Sequence, residues 1–287
     1  MSIEKNIADN LWGHSAAMYS TWLYCKPFRA LFDCGEGVSV AMRNHVFGVE
    51  TVFLTHPHYD HVGGLPGLVH SRASARGDKG KPMLVCHPAA RGFEDMKAFI
   101  ASSSPHLSYD LEYRVVSGGD EVWVGKKHCV APFEVSHGRC PAVGYVVRES
   151  RTRLRQGLAG MSEAEIAALA KRDGAAAVRE QYSHPVMAYC GDCSPVDPAR
   201  VMGVDLLVHE GTFLREEDRD DPGHSSVAEA VRAAVAAKVG TLILSHVSGR
   251  YLAKDVYAGV VEAVAKEGFS GGVFLLWGDE IKRVDLP

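Results

Sequence analysis

The chain lacks any uninterrupted apolar run approaching the ~18 to 20 residues of a membrane-spanning helix, so no span is expected. Its opening, MSIEKNIADN, has no basic stretch followed by an apolar one, the pattern of a secretory signal. A disulfide framework is missing too. The seven cysteines are an odd number, scattered from position 25 to 193, and suit a reducing compartment. Together these absences predict a cytoplasmic protein with no membrane partner. There is no excess of basic charge: with a formal net charge of -4, any polyanion must meet a local basic patch. No internal repeat is visible either.

What is present is enough hydrophobic residue to bury a sizeable core, 46% of 287 residues. Short aliphatic and β-branched runs alternate with helical segments. LFDCGEG (31 to 37), ETVFLTH (50 to 56), KPMLVCHP (81 to 88), VMAYCGD (186 to 192), DLLVHEG (205 to 211), TLILSHV (241 to 247) and GGVFLLWGDE (271 to 280) read as strands, several apolar enough to be buried on both faces. SEAEIAALAKRDG (162 to 174) and SSVAEAVRAAVAAKVG (225 to 240) read as helices, each opening at serine and closing at glycine. RASARGDKGK (72 to 81) reads as a loose loop. The expectation is an α/β protein of layered sheets and helices, one domain over residues 1 to 287.

Polar residues gather where these strands end: His56, Asp192, His209 with Glu210, and His246. Such ends are where open α/β sheets place their chemistry. A single histidine there is usually structural, but four strands ending this way make coincidence a poor account. The stretch HPHYDH is more specific. His56 and His58 are two apart and Asp60 and His61 follow at once, so one turn can aim two pairs of ligands at two neighbouring points. Neutral imidazole nitrogen and carboxylate oxygen suit zinc. Gly63 and Gly64 then let the backbone turn away beneath the metals.

With these residues in hand, the chain resembles the metallo-β-lactamase superfamily and, within it, the ribonuclease Z branch. The motifs occur in order across nearly the whole chain: LFDCGEG, THPHYDHVGGLPGL, SHGRCPAVGY (136 to 145), YCGDCSP (189 to 195), LLVHEGTF (206 to 213), GHSSVAEA (223 to 230) and LILSHVSGRY (242 to 251). The resemblance implies a four-layer αβ/βα sandwich with two zinc ions per chain, or manganese or another divalent metal in their place, at one edge between the sheets. By it, His56, His58 and His137 would hold the first metal, Asp60, His61 and His246 the second, and Asp192 would bridge both. Asp60, Glu210 and His224 would be the catalytic residues. A carboxylate at Glu210 could orient His224 and keep it protonated, so that the imidazole serves a leaving alkoxide. His209, next to Glu210 on a strand, should face the other way and is expected to be structural. The C-x-x-C of Cys190 and Cys193 suggests redox or thiolate chemistry, ranked below the bridging role of the aspartate between them.

The implied activity is hydrolysis of a phosphodiester P–O bond by a metal-bridging hydroxide. The favoured substrate is RNA, with the chain trimming the 3′ end of precursor tRNA as a homodimer. Two alternatives remain: a small or cyclic nucleotide diester, and a lactone or thioester hydrolase of the same fold, which would not need Glu210 and His224. A scaffold that has merely kept the fold is disfavoured by the intact ligand set. A basic and helical insertion at about 148 to 184 stands where the branch's long-arm members carry a Gly-Pro-rich arm. Its Arg148, Arg151, Arg153 and Arg155 either follow a phosphate backbone or charge a solvated strand edge. NLWGHSAAMYSTWLY stands where the family has a glycine-rich opening.

Overall fold

A computed structural model describes residues 6 to 74 and 81 to 286. Among these residues one sheet runs in chain order through β1 (Leu11–Ala16), β2 (Ser20–Cys25), β3 (Ala30–Phe32), β4 (Thr51–Phe53), β5 (Met83–His87) and β6 (Leu111–Val115). The second is built of β7 (Val122–Val124), β8 (His128–Glu134), β9 (Val143–Leu154), β10 (Arg179–Tyr189), β11 (Leu206–Glu210), β12 (Thr241–Ser245), β13 (Gly272–Trp277) and β14 (Glu280–Arg283), again as sequential neighbours. Both sheets are mixed. β3 to β6 are parallel, as are β10 to β13, while hairpin-type pairs close the flanks.

The uniformly apolar strands are explained by burial on both faces. Successive side chains point to opposite sides, so in β12 Leu242 and Leu244 pack towards helices, whereas Ile243 faces the other sheet. In β3, Leu31 goes to one side and Phe32 to the other. The layer between the sheets holds Phe32, Phe53, Tyr145 and Tyr189, with the Phe32 ring centroid 5.4 Å from those of Phe53 and Tyr189. Helices Leu65–Ala73 and Arg91–Ser103 cover the first sheet, and Val227–Ala236 and Ala253–Glu267 the second. The order is helix, sheet, sheet, helix: the four-layer αβ/βα sandwich. Among the described residues no helix is long and apolar enough to cross a membrane.

Both expected serine caps form, each as a reciprocal capping box: Ser162 with Glu165 and Ser226 with Glu229. The second helix does not run to Gly240, however. It ends at Ala236, and Lys238 takes the left-handed turn at φ 54 that a glycine would have signalled. The loose loop is also shorter than expected, since Arg72 and Ala73 finish a helix; residues 75 to 80 lie outside those described.

The stretch 148 to 184 begins and ends as strand. β9 and β10 continue past the sheet as an antiparallel ribbon, tipped by helices Glu163–Asp173 and Ala175–Val178. Up to Glu149, β9 lies between β8 and β10. The arginine run is therefore not a sheet edge at Arg148, and beyond Glu149 it belongs to a two-stranded ribbon.

Candidate metal centre

The centre is made where strands of both sheets stop. After β3 the chain turns at Asp33, a non-glycine residue with φ 56, and this tips its carboxylate under the loop that follows β4. That carboxylate is fully buried and accepts from Thr55 N–H (2.8 Å), Tyr189 O–H (2.9 Å) and His61 Nδ1–H (2.7 Å). The loop then enters the short helix Tyr59–Val62. Gly63 and Gly64 have ordinary helical φ values of -60 and -84, so they supply space, not conformational freedom. A Cβ on Gly64 would stand 2.0 Å from the Gly35 carbonyl oxygen.

Hydrogen bonds fix the tautomers of the imidazoles. His137 Nδ1 faces the Gly223 carbonyl at 2.9 Å and must carry a proton. His61 Nδ1 donates to Asp33. Thr55 Oγ1 donates to Asp33 and so accepts from His56 Nδ1 at 2.9 Å. Thr212 Oγ1 donates to Glu210 Oε2 at 2.6 Å and accepts from His246 Nδ1 at 3.0 Å. In all four rings the proton is held on the outer nitrogen, leaving the Nε2 lone pair free.

Those lone pairs converge. Ligand atoms of His56, His58, His137 and Asp192 lie within 4.8 Å of one another, and so do those of Asp60, His61, Asp192 and His246. Asp192 belongs to both groups, with Oδ1 3.2 Å from His61 Nε2 and Oδ2 3.3 Å from His246 Nε2. The first group also brings His137 Nε2 and His58 Nδ1 within 3.2 Å. Among the described residues, His56 Nε2, His61 Nε2 and Asp192 Oδ1 are buried without a hydrogen-bond partner. Protons alone do not resolve this crowding. Although burial opposes it, the charges of Asp192 and Asp33 raise His61 well above the usual histidine value. Burial, and then the charge of His61, push His56 well below it, and burial with His137 lowers His58. Buried lone pairs and a shared carboxylate are the donor set of divalent cations, and these residues fit a pair of them.

Beside this cluster stands a second unit. Glu210, at the end of β11, is 1% exposed and accepts four hydrogen bonds, from Cys193 N–H, Thr212 N–H, Thr212 O–H and His224 Nδ1–H. The His224 ring stacks on His246 at 5.4 Å and meets His137 edge-on at 4.9 Å, touching one member of each donor group. Burial works to lower His224, but the hydrogen bond and charge of Glu210, followed by Asp192 and Asp221, push it up to about 9.

Asp60 sits at the mouth, its Oδ2 3.4 Å from His246 Nε2 and accepting from Met18 N–H at 3.2 Å. His209 points away, as strand alternation requires, donating to the Glu210 carbonyl and accepting from Val196 N–H. Cys190 and Cys193 are buried free thiols against His209. The mutual hydrogen bond, then burial, holds the Cys193 thiol well above its ordinary value, so it makes a poor nucleophile. The arginines are not brought to the centre. Val143 donates its N–H to Thr55 next to His56, and Arg151 lies 151 - 143 = 8 residues further along β9, roughly 26 Å away at about 3.3 Å per residue. Arg151 pairs with Glu149 (2.6 Å) and Asp205 (3.7 Å), and Arg153 with Glu180 (2.7 Å). Arg155 donates to the Ala176 carbonyl.

Sequence reasoning passed over Thr55, Thr212 and the Met18 N–H, and saw Asp33 only as part of a strand. The threonines in THPH and HEGT were the available signal.

Comparison with known proteins places this geometry. The chain matches a beta-lactamase superfamily domain over residues 29–156 and 161–247. It is 32% identical over 249 residues to a ribonuclease Z from Exiguobacterium sp., covering 78% of this chain and 81% of that one. Its fold is similar to that of human tRNase Z, short form, with a TM-score of 0.65, 19% identity and 96% and 99% of the two chains covered. It is also similar to zinc-bound PqqB from Methylobacterium extorquens, with a TM-score of 0.58, 13% identity and 96% and 99% covered. The chain belongs to the beta-lactamase superfamily and, within it, to the ribonuclease Z family of hydrolases.

Proposed function

We propose that the chain is a dinuclear metal phosphodiesterase acting on RNA, an endoribonuclease that trims the 3′ end of precursor tRNA. The observation that carries the reading is the Glu210–His224 pair in ring contact with a member of each donor group. A hydrolase of thioesters expels a thiolate, a better leaving group, and has no use for such an acid. The names of the relatives, ribonuclease Z and tRNase Z, support the RNA assignment.

His56, His58 and His137 would hold one metal, Asp60, His61 and His246 the other, and Asp192 would be shared; zinc suits the donors and is the ion in PqqB. Bound there, the pair would lower the pKa of water and offset charge on the phosphate oxygens. The chain's own residues do the rest. Glu210 holds the proton on His224 Nδ1 and keeps the ring cationic, so the proton on Nε2 is available to the oxygen that leaves when the P–O bond breaks. Asp60, fixed by Met18 N–H, would orient the attacking water. Burial of His56, His61 and Asp192 keeps bulk water out of the donor set.

With this reading go a cytoplasmic homodimer and a role for the ribbon in gripping RNA cut by the partner, because its arginines stand too far from their own centre to reach the scissile phosphate. A small or cyclic nucleotide diester is the second reading. The carboxylates already paired with Arg151 and Arg153 favour it. Precursor tRNA and cyclic mononucleotides, offered side by side to the purified protein, decide. Release of a 3′ trailer is expected; turnover of the cyclic nucleotide with no trailer release would establish the second reading.

A further inference from the structure

The rim of the metal centre carries large side chains turned outward. Tyr59, between His58 and Asp60, is 61% exposed; Met18 and Tyr19, at the tip of the β1–β2 hairpin, are 87% and 74% exposed. Scattered exposed apolar residues are ordinary, but these three adjoin one another through Asp60, whose Oδ2 accepts from Met18 N–H. They are also held in place. Tyr19 N–H donates to the Ala16 carbonyl at 2.9 Å, and Met18 takes a left-handed φ of 70 that closes the hairpin over the centre. The Tyr59 ring lies against Gly63, where a Cβ would stand 2.8 Å from it. Two outward rings thus stand beside a carboxylate of the donor set, Tyr59 as its chain neighbour and Tyr19 next to the residue bonded to it, at a cost in exposed apolar surface that the fold does not require.

We infer that Tyr59 and Tyr19 are positioning residues for substrate, each stacking on an unpaired nucleobase flanking the phosphodiester at the centre. This rests on the reading of the chain as a nucleic-acid phosphodiesterase. An aromatic face accepts any base, because every base has a π-face, whereas a duplex keeps its bases stacked on one another. The rings therefore select a single-stranded segment without selecting its sequence. They also supply what the ribbon arginines cannot, contact with the nucleotides next to the scissile bond.

The test is binding, read apart from cleavage. Fluorescence anisotropy is measured for a five-nucleotide single-stranded RNA with a non-hydrolysable methylenephosphonate at its central linkage, and for the same oligonucleotide abasic on both sides of that linkage. The proteins are the parent, Tyr59→Ala, Tyr59→Phe and Tyr19→Ala, as purified. Each alanine change should weaken binding of the normal oligonucleotide on the order of ten-fold, while Tyr59→Phe binds like the parent. The abasic oligonucleotide should bind all four proteins alike and weakly. The inference is overturned if the alanine variants bind the normal oligonucleotide as the parent does, or if their losses persist on the abasic one. Ring-dependent binding by a parent that cleaves no phosphodiester would sink the catalytic reading and leave this one standing. Unchanged binding by alanine variants of a parent that does cleave RNA would do the reverse.

Discussion

His224 donates its Nδ1–H to Glu210 across 2.7 Å, and the same carboxylate holds Thr212, which in turn accepts from His246. The proposed proton donor and one member of the donor set therefore hang from a single side chain. Glu210→Gln and His224→Ala should each lower kcat on a phosphodiester by a factor of ~10² or more, the His224 variant with metal content intact. The double variant should be little worse than the worse single, because the two residues act as a unit. Additive losses would sink the pairing.

The pH dependence follows from the same pair. His224 is pushed up to about 9, so its cationic form is present below that value and is lost as pH rises through it. Activity should fall on the alkaline side as the His224 cation is lost. In Glu210→Gln the negative charge that raises His224 is gone, and the alkaline limb should move down. A pH profile of kcat checks this; an unmoved limb would assign it to another group.

Asp192→Ala should abolish turnover and lower the metal content from about two ions per chain, measured by native mass spectrometry. Asp33→Asn should weaken metal binding roughly 10- to 100-fold without touching the metals, since it disturbs the rings that Asp33 positions, His61 directly and His56 through Thr55. Equal metal affinity in Asp33→Asn and the parent would show that His61 needs no such partner.

Arg151→Ala combined with Arg153→Ala should leave cleavage of a small diester unchanged, given their distance from the centre. The Arg153–Glu180 pair is exposed and weak, whereas the half-buried Arg151 must exchange Glu149 and Asp205 to meet phosphate. Precursor-tRNA binding should then show a log-log salt slope flatter by about one unit for each phosphate that a removed guanidinium had neutralised. An identical slope would take the ribbon out of RNA recognition.

Ser226→Ala removes the capping box of helix Val227–Ala236. A loss of about 1 kcal/mol is expected, equivalent to a fall in Tm of roughly 2 to 4 °C by calorimetry. No change would mean that Glu229, which also pairs with Arg219, satisfies the helix start unaided.

The α/β layering was legible because buried strands write themselves as unbroken apolar runs and helices as serine-to-glycine segments; the four-layer arrangement came through resemblance. The donor loop was legible because His56, His58, Asp60 and His61 are contiguous. Asp192 and His246 stood out as strand-end residues, but their metal roles, and His137 altogether, came only through resemblance, since nothing local says which distant strand ends meet. Asp33 was hidden for a different reason: its role depends on a left-handed backbone turn that no glycine or asparagine announced. Lys238 misled in the same way, ending a helix where Gly240 was the visible signal. The partners of Arg151 and Arg153 follow from strand register, fixed by the β9–β10 pairing and not by the basic run itself.

Asp33 leaves the first sheet, and the Tyr189 hydroxyl it accepts from ends a strand of the second. The same carboxylate orients His61. A fluctuation that parts the sheets must therefore break the bond that aligns the imidazole, so the centre and the docking of the sheets form one cooperative unit. Amides around Asp33, Thr55 and Tyr189 should then exchange with solvent together, in the slowest class.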